Sequence, residues 1–87
     1  MRFVIAYDVA SDRRRNAIAK LLLSFGERVQ YSVFECDLSP QRLALLQARL
    51  SALIHPKKDR VNFYPLCQAC FAKAASMGKM IAPVPDL

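Results

Sequence analysis

Residues 2–9 read RFVIAYDV, and this stretch decides the fold of the chain. Its β-branched and aromatic side chains favour a strand, and the period of two places apolar residues on both faces until Asp8. A strand that is apolar on both sides lies inside a sheet, with most of each face covered. The sequence therefore predicts a central strand that ends in a carboxylate where the chain leaves the core.

Two helical patterns follow this strand. Ser11 is suited to cap a helix, and apolar residues at i, i+3, i+4 and i+7 predict one over residues 12–25, stopped by Gly26. A second cap at Ser39, followed by proline and by leucines at helical spacing, predicts a helix that extends to about Ile54.

Extended segments lie between and after these helices. RVQYSVFECDL at 28–38 is either one bent strand or two short ones, and VNFYPL at 61–66 is a further strand in which Pro65 indicates an edge or an end. This order predicts an α+β, ferredoxin-like βαββαβ sandwich, in which two helices cover one face of an antiparallel sheet. We assign residues 1–81 to this domain and 82–87, with two prolines, to a C-terminal arm.

Composition narrows the class of partner. A chain of 87 residues holds one domain, which excludes an enzyme with two lobes around a cleft, and its small core favours an oligomer. A formal charge of +6 and a pI near 9.7 favour a phosphate backbone as the partner. No apolar run is long enough to suggest a membrane span. Three cysteines with no secretory signal favour a reducing, cytoplasmic compartment.

Asp8 is the strongest candidate for chemistry. A carboxylate at the end of an apolar strand either binds a ligand, caps the next helix or pairs with one of the arginines that follow. Phosphodiester hydrolysis needs a hard cation held by several oxygen ligands, and no second carboxylate lies at useful spacing from Asp8. Two copies of Asp8 facing each other across a two-fold axis would supply two, because their repulsion favours a divalent ion between them.

Arginines are the candidate contacts to nucleic acid. Three of them open the first helix, at the positive end of its dipole, so a compensating anion is expected; the alternative is a solvated charged turn. Successive helical positions diverge by about 100°, which favours Arg14 or Arg15 over the whole run. Arg28 has three candidate partners, namely Asp8, Glu35 and a phosphate.

The cysteines and the single histidine are weaker candidates. Cys67 and Cys70 form one C-x-x-C, which cannot supply the four ligands of a structural zinc site. A thioredoxin-type role needs the motif after a strand at a helix start, but the lack of other redox features favours buried or incidental thiols. We expect Cys36 to pack in the core and His55 to mark a turn at the surface.

The motifs YDV at 7–9, SDRRRN at 11–16 and RVQYSVFE at 28–35 resemble those of the Cas2 family, the small CRISPR-associated partner of the CRISPR integrase in spacer acquisition. The likeness covers essentially the whole chain, including LCxxC at 66–70. It implies a ferredoxin-like homodimer that packs sheet to sheet. It also implies Mg²⁺, or Mn²⁺, held at the interface by Asp8 and a phosphodiesterase activity on RNA or DNA in which Asp8 is catalytic.

The resemblance implies a second, non-catalytic role, in which the dimer bridges integrase dimers and holds a captured DNA fragment in a prokaryotic cytoplasm. By matched position, Tyr7 and Phe34 support the site, while Arg15 and Arg28 contact nucleic acid. Ala17 departs from the pattern, because many relatives carry a basic residue there. The alternative to the whole assignment is a non-catalytic ferredoxin-like module that binds nucleic acid or another partner.

Overall fold

The computed structural model describes residues 1–75, 77 and 78, which contain a four-stranded sheet in the order β2-β3-β1-β4. All neighbouring strands are antiparallel, and β1 is central, as predicted. The α+β, ferredoxin-like prediction is therefore confirmed. The elements, in chain order, are β1 Arg2–Asp8, α1 Asp12–Leu23, β2 Glu27–Gln30, β3 Val33–Asp37, α2 Pro40–Leu53, β4 Arg60–Leu66 and α3 Gln68–Ala72.

The core lies between α1, α2 and one face of the sheet. β1 directs Phe3, Ile5 and Tyr7 into it, where they meet buried side chains from both helices and from β3. Apolar burial of this kind is the main stabilising contribution in a small domain. The remaining buried members of the cluster are Val9, Ile18, Ala19, Leu22, Phe34, Cys36, Leu38, Leu46 and Leu50.

Neither α1 nor α2 covers the opposite face of the sheet, and α3 contacts it at Arg2, whose guanidinium lies 4.1 Å from the centre of the Phe71 ring. Val4 and Ala6, which the sequence places on this face of β1, are only half-buried. Tyr64, the β4 partner of Val4, is 53% exposed. The prediction that both faces of β1 are covered is thus met on one side only within this part of the chain.

The first helix ends two residues earlier than predicted, at Leu23. Glycine is required at position 26 because of close packing, and not because it ends the helix. A Cβ added at Gly26 would lie 2.2 Å from the Glu35 carbonyl oxygen and 2.5 Å from the Cys36 sulfur, closer than atoms can approach. The glycine therefore allows the turn after α1 to pass directly against β3.

The RVQYSVFECDL segment forms two strands, which settles the alternative left open by the sequence. A β-bulge between Arg28 and Gln30 shifts the pairing of β2 with β3. Pro65 lies near the end of β4, an edge strand, as predicted. The second helix ends at Leu53, one residue before the expected boundary.

No helix of the described residues is long and apolar enough to cross a membrane. The predicted C-terminal arm, 82–87, and the domain boundary at residue 81 lie outside the described residues.

Candidate functional site at the end of the first strand

Asp8 is the last residue of β1, and it is exposed. It lies opposite Arg60 in the register of β1 with β4. The cap of α1 is Ser11, whose hydroxyl accepts a hydrogen bond from the Arg14 amide at 3.3 Å. Asp8 is therefore not the cap, and its carboxylate has no hydrogen bond or ion pair within the described part of the chain.

Arg14 binds Asp59, a residue that sequence analysis did not single out. The Arg14 Nε donates to Asp59 Oδ2 at 2.6 Å, and Nη2 donates to Oδ1 at 3.1 Å. This bidentate pair raises the pKa of Arg14 and holds the pKa of the Asp59 carboxyl well below its ordinary value. The sequence does contain an indication that Asp59 has a special role, because Asp59 is the only acidic residue between Asp37 and Asp86.

Asp59 also accepts hydrogen bonds from the backbone of two separate segments. Its Oδ1 accepts from the Ala10 amide at 3.1 Å, and its Oδ2 accepts from the His55 amide at 2.8 Å. The side chain of Asp59 has no exposed surface. It therefore ties the loop after β1 to the turn before β4, and Arg60, which lies opposite Asp8, is the next residue along the chain.

Arg15 is the other helix-start arginine predicted to contact nucleic acid, and it lies close to Asp8. Its Nη1 pairs with the Asp12 carboxylate, and its Nη2 donates to the Val9 carbonyl at 3.2 Å. The Asp12 hydrogen bond is the main cause of the raised pKa of Arg15, and Tyr31 adds to it. The Arg15 side chain keeps 28% of its surface exposed at this end of the sheet.

Arg28 lies over two aromatic rings. Its guanidinium carbon is 5.2 Å from the centre of the Phe34 ring and 5.8 Å from that of Tyr31. Its Nε is buried, without a hydrogen-bond partner among the described residues. Tyr7 stacks on Phe34, with ring centres 6.2 Å apart, and its hydroxyl donates to the Tyr31 carbonyl at 3.3 Å. Of the two supporting residues predicted from the sequence, Phe34 thus lies beneath Arg28 and Tyr7 packs against Phe34.

Neither acidic partner considered for Arg28 pairs with it in the described structure. Glu35 lies 3.7 Å from the Arg2 guanidinium instead, on the face of the sheet opposite α1 and α2. Asp8 and Arg28 are on different strands that are not neighbours in the sheet, because β3 lies between them.

A metal site at this end of the sheet would depend on carboxylate donors. Carboxylate oxygen is the ligand that Mg²⁺ and Mn²⁺ prefer, and the exposed, unpaired Asp8 fits that requirement. Among the described residues, however, no group of three or more histidine, cysteine, aspartate or glutamate side chains is placed to hold an ion. One chain therefore offers no complete ligand set among these residues, in keeping with the sequence-based expectation that one subunit is insufficient.

The thiols divide into one buried and two exposed. Cys36 is buried, as predicted, and burial raises its pKa to about 11. Cys67 and Cys70 are both exposed. Of the two alternatives, buried or incidental thiols, burial is wrong for this pair, because both residues lie beyond the core, at the start of α3.

Comparisons with known proteins agree on one family. The sequence profile of the CRISPR associated protein Cas2 family matches residues 1–74. The chain is 42% identical over 80 residues to "CRISPR-associated endoribonuclease Cas2 4" of Rhodospirillum rubrum, an alignment that spans 92% of this chain and 64% of that protein. This chain thus spans about two thirds of the length of that relative.

Solved structures give the same result. The crystal structure of Streptococcus pyogenes Cas2 superposes with a TM-score of 0.81 and 32% identity, covering 90% of this chain and all of the other. A chain of a partial Cas6-RT-Cas1–Cas2 complex superposes with a TM-score of 0.79 and 28% identity, covering 99% and 95% of the two chains. From its sequence and its fold, the chain belongs to the CRISPR associated protein Cas2 family.

Proposed function

We propose that this chain is a CRISPR adaptation protein that acts as a homodimer, binds nucleic acid and cleaves phosphodiesters with Mg²⁺ or Mn²⁺ bound between two copies of Asp8. The observation that carries the proposal is the exposed Asp8 carboxylate, which has no internal partner in the described structure. The name endoribonuclease, given to the Rhodospirillum rubrum relative, supports the enzymatic part.

The open face of the sheet supports a dimer that packs sheet to sheet. Val4, Ala6 and Val33 are adjacent in the register and half-buried, and the largely exposed Tyr64 ring lies beside Val4. A second copy of the same face would cover these apolar groups, which water otherwise contacts. Asp8, at the end of the central strand, would then approach its own copy near the two-fold axis.

Two Asp8 carboxylates supply the oxygen ligands that one chain lacks. The two carboxylates would hold a divalent ion, and the chemistry it would supply is neutralisation of phosphate charge and activation of water. The residues of the chain itself position the nucleic acid: we assign phosphate contacts to Arg15 and Arg28 at the same end of the sheet. Arg14 was a candidate, but its guanidinium already holds Asp59, so we assign it a structural role.

The adaptor role is a separate class of function. A solved relative is part of a complex that also contains Cas1, which supports an integrase partner for this chain. DNA is the substrate of integration, and RNA is a second candidate for cleavage. The free thiols Cys67 and Cys70 are consistent with a reducing cytoplasm as the compartment.

The alternative, a non-catalytic nucleic-acid-binding module, is favoured by one observation. The described part of the chain has no cluster of three metal ligands, whereas nucleases commonly hold their ions with several carboxylates. The Asp8→Ala variant separates the two functions. If the chain is an adaptor, the variant should still support spacer integration with the integrase partner. If the chain is an enzyme, the variant should lose metal-dependent cleavage.

The test compares wild type with Asp8→Asn on labelled single-stranded RNA and double-stranded DNA, with Mg²⁺, Mn²⁺ or EDTA. Asp37→Asn is the matched control, since it removes one exposed carboxylate at the other end of the sheet, opposite Arg2. We expect wild type and Asp37→Asn to cleave only with metal, and Asp8→Asn to cleave no faster than the EDTA reaction. Wild-type rates in Asp8→Asn would refute the assignment, and no cleavage by wild type would favour the alternative.

A further inference from the structure

The Cys67–Cys70 pair lies at the other end of the sheet from Asp8. Cys67 follows β4 directly and is the N-cap of α3, with extended backbone angles of −72° and 162°. Its sulfur accepts a hydrogen bond from the Cys70 amide at 3.4 Å, so the side chain folds back over the first turn toward Cys70. Both thiols are exposed.

The two thiols are not equivalent. Hydrogen bonds from Cys70, through its amide and its thiol, lower the pKa of Cys67. The same contact raises the pKa of Cys70. A thiolate is the nucleophile in disulfide exchange, so Cys67 is suited to attack and Cys70 to complete the exchange.

A cavity of about 600 Å³ opens beside Cys67. Its walls carry charges of both signs, from the terminal amine of Met1, from Arg2 and from Asp37. Arg2 is held in place because its guanidinium lies 4.1 Å from the centre of the Phe71 ring. A cavity of this size with mixed charges suits a small zwitterionic molecule.

We propose that Cys67 and Cys70 form a reversible dithiol–disulfide pair, a redox-modification site oxidised by low-molecular-weight peptide disulfides of the glutathione type. The Cys67 thiolate attacks one sulfur of the oxidant, forms a mixed disulfide and expels one small thiolate. Cys70 then loses its proton to solvent and attacks the Cys67 sulfur, which expels the second small thiolate. Each expelled thiolate takes up one proton, so two protein thiols and one small disulfide become one protein disulfide and two small thiols.

The pair is independent of the proposed nuclease site, because the two lie at opposite ends of β1. Arg2, beside the cysteines, begins that strand, and Asp8 ends it. Failure of the nuclease assignment would therefore leave the redox pair unaffected, and the redox test uses no nucleic acid.

The test incubates the full chain in glutathione buffers of stepped oxidised-to-reduced ratio, then quenches in acid, alkylates and digests with trypsin. The sequence places Cys67 and Cys70 in one tryptic peptide, 61–73, and Cys36 in another, 29–42. We expect peptide 61–73 to become lighter by two hydrogens and resistant to alkylation as the ratio rises, and dithiothreitol to reverse this. Peptide 29–42 should stay in its thiol form throughout.

Two variants test the order of attack. Cys70→Ser should trap a mixed disulfide with glutathione on Cys67, about fivefold or more faster than Cys67→Ser traps one on Cys70. Cys36→Ser is the matched control and should behave as wild type. Full alkylation of both thiols at every ratio, disulfides only between chains, or equal trapping rates in the two variants would overturn the proposal.

Discussion

The guanidinium of Arg14 and the carboxylate of Asp59 form a bidentate ion pair across 45 residues of sequence, with Nε to Oδ2 at 2.6 Å and Nη2 to Oδ1 at 3.1 Å. The pair joins the first helix to the turn before β4. Because Asp59 also accepts from the amides of Ala10 and His55, one buried carboxylate fixes the backbone around the exposed Asp8. The candidate site is thus free at Asp8 and rigidly supported behind it.

Asp59→Asn should destabilise the protein strongly, since it leaves Arg14 without its charged partner. The matched control is Asp12→Asn, because Asp12 also pairs with an arginine but its side chain is 88% exposed. In urea unfolding, Asp59→Asn should lower the midpoint at least about three times as much as Asp12→Asn does. Equal shifts in the two variants would contradict a structural role for the pair.

The same carboxylate makes stability depend on pH in acid. The pKa of Asp59 is lower in the folded state than in the unfolded chain, so its stabilising effect is complete above the unfolded pKa, about 4. That effect is lost as the pH falls further toward the folded pKa. The difference in urea midpoint between wild type and Asp59→Asn should therefore be full at neutral pH and shrink below about pH 4. A difference that stays constant into strong acid would argue against the pair.

Gly26→Ala should cost about 3 kcal/mol in the free energy of unfolding, because the new Cβ collides with the backbone of Glu35 and the sulfur of Cys36. Gly78→Ala is the control. It has a φ of 83° but open space around it, so only backbone strain of about 1 kcal/mol is expected. Denaturant unfolding of both variants measures the two effects. A cost at Gly26 no larger than at Gly78 would mean that β3 can move away from the turn.

Metal should strengthen the proposed dimer through Asp8. Two like charges near the axis repel at neutral pH, and Mg²⁺ or Mn²⁺ between them relieves the repulsion. Sedimentation should show a wild-type dimer that becomes tighter with metal. The Asp8→Asn dimer should be at least as tight as metal-free wild type, because the repulsion is removed, and should not respond to metal. A monomer at micromolar concentration, or an Asp8→Asn variant that does not fold, would show that the residue has another role.

Nucleic-acid binding should weaken steeply with salt. The chain carries a formal charge of +6, which doubles in a dimer, and phosphate contacts release condensed counterions. Fluorescence anisotropy at increasing salt should give a linear fall of log affinity with log salt. Arg15→Ala should reduce the slope by about one unit, whereas an unchanged affinity between low and physiological salt would exclude phosphate contacts.

The sequence by itself determined the elements and the end of the first strand. The periodicity of a strand or a helix is set by residues that are close in sequence. The ferredoxin-like order could therefore be predicted from RFVIAYDV, from the Ser11 and Ser39 caps and from the spacing of apolar positions. Asp8 is exposed at the end of β1, where the run of apolar residues from Phe3 to Tyr7 ends.

The tertiary structure alone decided which side chains meet. Arg14 looked like a phosphate ligand because three adjacent cations at a helix start need an anion, and only the folded chain shows that Asp59 is that anion. Three other features also depend on segments that are distant in sequence. They are the close approach that requires glycine at position 26, the open face of the sheet and the exposure of Cys67. Local patterns are fixed by the geometry of one turn or one strand, whereas ion pairs and close approaches exist only after the sheet has brought separate loops together.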